Sequence, residues 1–103
     1  MKLNKEPENF RNALREKTSD AFVEYLAEAI KTKNKLNYND RFPRDVLLDA
    51  ELTGETLTLF FENSEPLEID FSTMYISQSN SAPKKFYINR KGSGDSEVII
   101  FNC

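Results

Sequence analysis

With 103 residues, 39% of them hydrophobic and 12% aromatic, the chain can bury one core and is too apolar to be disordered. Its net charge of −3 gives no general attraction to nucleic acid or to an anionic membrane surface. It has no histidine and a single cysteine, Cys103, which excludes an internal disulfide, Ser–His and Cys–His nucleophile pairs and nearly all zinc sites.

The first ten residues carry charge but no apolar segment of the signal-peptide kind, and no apolar run approaches the ~20 residues of a membrane span. A cytoplasmic protein with no membrane partner is the expectation. Residues 1–35 follow a helical pattern. Pro7 suits a first helical position and Glu8 the positive end of a helix. Phe10, Ala13, Leu14 and Lys17 then share one face, and the first helix should end near Lys17. Ser19 is a good N-cap for a second helix over residues 19–33. Its apolar stripe is Phe22, Tyr25, Leu26, Ala29 and Ile30. Lys31, Lys33 and Lys35 crowd the end of that helix, where cations favour the dipole.

Residues 36–44 read as a connection rich in turn-formers, with Tyr38 and Phe42 anchoring it. The period then changes to two. Val46, Leu48, Ala50 and Leu52 alternate with Leu47, Asp49 and Glu51. Gly54 makes a turn, and Leu57, Leu59 and Phe61 alternate with Thr56, Thr58, Phe60 and Glu62. After a second turn, Leu67, Ile69 and Phe71 alternate with Glu68, Asp70 and Ser72. Residues 74–76 extend that strand or start a new one, and residues 77–83 form a polar loop. Residues 85–90 form a further strand with Phe86 and Ile88 inward and Tyr87 outward. A Gly-rich hairpin at residues 91–95 leads to a last strand over residues 97–102. The spacing is that of a hairpin turn and lacks the helix a phosphate loop needs. The predicted fold is α+β: one domain over residues 1–103, with two N-terminal helices on one face of an antiparallel sheet of about five strands.

No catalytic residue, cofactor site or metal site is expected, and the chain does not read as an enzyme. Carboxylate pairs exist, Glu68 with Asp70 and Glu51 with Glu62, but a domain this small leaves little room for a cleft between them. The charge map is more telling. Between residues 45 and 80 there are eight acidic residues and no lysine or arginine. By alternation, Asp49, Glu51, Phe60, Glu62, Glu68 and Asp70 point away from the helices, with Tyr87 as a neighbour. Such a face would attract a basic partner and offer aromatic anchors to it. It would equally serve as a solubilising surface. Lys84, Lys85, Arg90 and Lys91, with Tyr87, form a small basic patch. It reads as a solvated edge, or alternatively as the contact of a small nucleic-acid-binding or adaptor module.

The segment ELTGETLTLFFENSEPLEID at residues 51–70, behind a helical N-terminal third, resembles the immunity proteins of bacterial toxin systems. The type most similar is the one paired with contact-dependent growth inhibition toxins. The resemblance implies a cytoplasmic antitoxin that binds its cognate toxin domain one-to-one. That toxin is often a nuclease, and its basic site would meet the acidic β-surface.

Overall fold

A computed structural model of the chain describes residues 1–38, 44–82, 84–92 and 96–101. Two helices come first, α1 (Pro7–Arg15) and α2 (Asp20–Thr32). Among the described residues seven strands follow: β1 (Lys35–Tyr38), β2 (Asp45–Thr53), β3 (Thr56–Phe61), β4 (Leu67–Asp70), β5 (Met74–Gln78), β6 (Lys85–Arg90) and β7 (Ser96–Phe101). All pairings are antiparallel, in the order β4-β3-β2-β1-β7-β6-β5. The fold is thus α+β, with the helices N-terminal. Two strands exceed the sequence expectation. β1 begins inside the lysine-rich helix end and runs into the supposed connection, and residues 74–78 form an edge strand of their own. Residues 39–43, residues 93–95 of the last hairpin, and Cys103 lie outside the described residues.

The helices form where the sequence pattern puts them. Pro7 opens α1 and Glu8 lies in its first turn, while Phe10 and Leu14 are buried. The Ser19 hydroxyl accepts the Phe22 N–H at 3.3 Å and caps α2. Arg15 donates to Asp20 and Glu24, at 2.6 and 2.9 Å, and so fixes the corner between the helices. These pairs are exposed, and solvent screens them. α2 ends on Lys33, whose φ of +55° is left-handed, a conformation that glycine takes without strain.

β2 is the hub of the sheet. One side pairs with β3 along most of its length. The other side is shared. Its first residues pair with β1, at Lys35–Val46 and Leu36–Asp45. Its last residues pair with the N-terminal segment: the Leu3 N–H donates to Ala50 O at 2.9 Å and the Leu52 N–H to Met1 O at 2.8 Å. Within β2 the register slips by one residue between Leu47 and Asp49. Leu48 is the extra residue of a β-bulge, and a bulge reverses side-chain parity beyond it.

That bulge corrects one expectation. Val46 and Leu48 do not belong to the core face: Val46 is half-buried and Leu48 is exposed. Leu47 takes the inward position and is fully buried, and Ala50 and Leu52 resume it past the bulge. β3, β4 and β6 keep the expected parity. Leu57, Leu59, Ile69, Phe71, Phe86 and Ile88 are buried, and Phe61 and Leu67 pack partly buried against them.

The sheet is rolled around α2. Its two edges, β4 and β5, are consecutive in the chain and joined by only three residues. Six interstrand spacings would put the edges of a flat sheet about 29 Å apart. The chain from Asp70 to Met74 reaches at most about 15 Å. The sheet must therefore curl until its edges meet at that turn. α2 fills the concave side, with Phe22 stacked edge-on against Phe86 of β6 at 5.2 Å and Tyr25 at 4.8 Å from the same ring. Enclosure explains why Val23 and Ala27 are buried beside the expected stripe. At 100° per residue the buried positions of α2 cover roughly 200° of its circumference.

Candidate functional site

The convex face of β2, β3 and β4 carries the acidic residues. Cross-strand partners share a face in an antiparallel sheet, and adjacent strands lie about 4.8 Å apart. Glu51 stands opposite Thr58, which stands opposite Glu68. This row places two carboxylates on either side of a threonine, with backbones about 10 Å apart. Asp49 pairs with Phe60 in the next row, and Asp70 pairs with Thr56 in the row on the other side. Glu62 follows β3 and is exposed, with its N–H donated to Val46 O at 3.0 Å.

Tertiary contacts sort these carboxylates into two kinds. Asp45 is buried and belongs to the frame. It accepts from the Val46 N–H (2.8 Å), the Asn63 N–H (2.9 Å), Asn63 Nδ2 (3.3 Å) and Ser64 Oγ (2.6 Å). Burial pushes its carboxyl up, but the hydrogen bonds from Ser64, Asn63 and Val46 outweigh that and hold it below the usual value. Asp49 accepts from the backbone N–H groups of Ala50 and Asn4, at 2.8 and 3.2 Å. The Asn4 side chain donates to Leu48 O at 2.9 Å, so Asp49 and Asn4 together brace the bulge. Glu55 pairs with Lys17 of the α1–α2 corner. Asp70 accepts from the Ser72 hydroxyl and N–H, at 2.7 and 2.9 Å, which lowers its carboxyl with further help from Lys91.

The remaining four, Glu51, Glu62, Glu65 and Glu68, have no hydrogen bond or ion pair among the described residues. They are the carboxylates a partner can reach without breaking the fold. Among the described residues no three such groups come together to hold a metal ion.

Of the residues expected at the site, Glu51, Phe60, Glu62 and Glu68 share the convex face of the β2–β4 half. Asp49 and Asp70 lie on it too but are engaged in local structure. Tyr87 lies elsewhere. It is on β6, separated from β2 by β1 and β7, about 14 Å along the sheet. Its ring has Lys85 Nζ at 5.5 Å. One residue of the acidic face was not expected. The backbone of Lys2 pairs with that of Glu51 in an isolated β-bridge, and its Nζ stands 5.6 Å from the Phe60 ring. Nothing in the spacing of the sequence brings a residue so distant in the chain onto this face; only the pairing of the N-terminal segment with β2 does.

No helix among the described residues is long and apolar enough to cross a membrane. Comparison with protein-family models, with curated proteins and with solved structures finds no match.

Proposed function

We propose that this chain is an immunity-type binding protein that acts in the cytoplasm. It captures a basic toxin domain, a nuclease by preference, in a one-to-one complex and blocks it. The convex face of β2–β4 is its contact surface. The observation that carries the reading is the set of unengaged carboxylates Glu51, Glu62 and Glu68 on the face of Phe60. Glu62, Glu65 and Glu68 have no ion pair among the described residues, and a basic surface relieves the repulsion between such carboxylates on docking. A nuclease surface is basic because it holds phosphates. Phe60, flat and half-buried between Thr58 and Glu62, supplies the anchor that a charged patch alone lacks.

The test is co-expression with the product of the gene immediately upstream, followed by co-purification and growth rescue. The wild-type chain co-purifies and protects. Reversal of Glu51, Glu62 and Glu68 together to lysine weakens the complex by about tenfold or more, mostly through slower association at low salt. Unchanged binding and protection by the triple variant rules out this face as the contact surface.

A further inference from the structure

The two edges of the sheet are guarded differently. At β4, Pro66 precedes the strand, and Glu68 and Asp70 put charge on it. Proline and charge keep an edge from pairing with another chain. β5 has neither. It lies within residues 71–83, the longest run without Asp, Glu, Lys or Arg in a chain that is 30% charged. Its backbone is open as well. The Ser79 N–H donates to Lys85 O and the Lys91 N–H to Thr73 O, both at 2.9 Å, so Thr73 and Ser79 turn their backbone groups toward β6. That direction alternates along an antiparallel strand. Tyr75 and Ser77 therefore bond to β6 at Asn89 and Tyr87, while Met74 and Ile76 turn their backbone N–H and C=O groups to the edge. Those groups have no backbone partner among the described residues, and β6 is the only described element that runs alongside β5. The side chains of Met74 and Ile76 pack against the core, whereas Tyr75 points the other way and is 48% exposed.

We propose that β5 is the seam of a symmetric homodimer, pairing antiparallel with β5 of a second copy about a two-fold axis through Tyr75. Met74 of each copy then exchanges backbone hydrogen bonds with Ile76 of the other. Tyr75 meets its own counterpart at the non-hydrogen-bonded position between them, where Cα atoms come within about 4.5 Å. The two rings cover one another, and an aromatic cross-strand pair stabilises the ladder. Charge and symmetry commit the occupant to a second copy. Each chain carries a net charge of −3, so two copies meet with least repulsion at a run that holds no charge. A basic partner finds no carboxylate on this strand and is drawn instead to β2–β4. About Tyr75 the edge is its own complement, as a two-fold interface requires. One strand pair buries little surface, so the dimer is weak and exchanges with monomer. The acidic face stays open in each copy, and dimerisation stands independently of toxin capture.

The test is sedimentation velocity of the full chain from about 5 µM to about 500 µM, a range that brackets a weak dissociation constant. The mass rises with concentration from 11.9 kDa toward twice that value. Tyr75→Lys sets like charges face to face at the axis and stays at 11.9 kDa throughout, with unchanged far-UV circular dichroism. Cross-linking reads the register. In a Cys103→Ser background, Tyr75→Cys with oxidised glutathione as the oxidant forms an interchain disulfide, because about 4.5 Å between Cα atoms suits that bond. Ser77→Cys does not, since its two copies stand about 13 Å apart along the seam. The dimer is overturned by a monomer mass at every concentration, by undiminished association of Tyr75→Lys, or by cross-linking at Ser77→Cys and not at Tyr75→Cys. Mass that grows past the dimer overturns the closed two-fold pairing. Loss of toxin capture by Tyr75→Lys, in a chain that is itself monomeric, assigns the edge to the toxin instead.

Discussion

The ammonium of Lys2 stands 5.6 Å from the centre of the Phe60 ring, in the middle of the acidic face. A single cation thus sits where the charge map of residues 45–80 shows none. It stands against Phe60, on the segment whose backbone pairs with Glu51. Replacing Lys2 with glutamine removes a cation–π contact of about 0.5–1 kcal/mol. It also deepens the negative potential of the face. The variant should lose that much stability in urea denaturation yet associate several-fold faster with a basic partner at low salt, as read by stopped-flow.

Leu47 and Leu48 test the bulge. Both are apolar, and strict alternation assigns the core to Leu48. The structure buries Leu47 fully and exposes Leu48. Leu47→Ala should cost about 2–5 kcal/mol, and Leu48→Ala less than about 1 kcal/mol, in chemical denaturation. The reverse ranking would mean that β2 carries no slip between Leu47 and Asp49.

Asp45 ties the start of β2 to the turn after β3 through four hydrogen bonds to Val46, Asn63 and Ser64. Asp45→Ala leaves four part-buried donor groups without their acceptor and should cost about 1–3 kcal/mol by thermal or urea unfolding. Its carboxyl is lowered in the folded state. The unfolded chain, with an ordinary carboxyl near about 3.9, therefore binds the proton first as pH falls. The stabilisation is fully present above that value and is lost as pH drops through the lower folded one. Asp70 acts in the same direction through Ser72. The urea midpoint should fall below about pH 4. In Asp45→Asn, which has no carboxylate to titrate, the fall is shallower.

Lys33 ends α2 at a φ of +55°. A side chain there costs about 1 kcal/mol, and glycine removes the strain. Lys33→Gly should raise the melting temperature by a few degrees, about 4–8 °C per kcal/mol in a domain of this size. A lower melting temperature would show that the Lys33 side chain contributes more than its backbone costs.

Local chemistry makes several features legible from the sequence. Pro7, Ser19 and the stripe of Phe22, Tyr25, Leu26 and Ala29 mark helices through rules that act within a few residues. Alternation marks β3, β4 and β6, whose inward residues Leu57, Leu59, Ile69, Phe86 and Ile88 are all buried. It fails in β2 at one point, because a bulge adds a residue without changing the composition on either side. β1 escapes for another reason: KLNY is short and polar, and it becomes a strand only by filling the gap between β2 and β7.

The sequence by itself determined the α+β class, the acidic run and the outward parity of Glu51, Phe60, Glu62 and Glu68. These follow from composition and from periods of two and 3.6 residues, which each segment carries alone. Tertiary structure decided which carboxylates are available. It buried Asp45, engaged Asp49 and Asp70 in turns and bulge, gave Lys17 to Glu55 and set Lys2 over Phe60. It also set Tyr87 three strands from β2, beyond β1 and β7, and diagonal to Tyr75. Pairing between distant segments depends on the whole rolled sheet closing around α2, and no window of sequence contains that information.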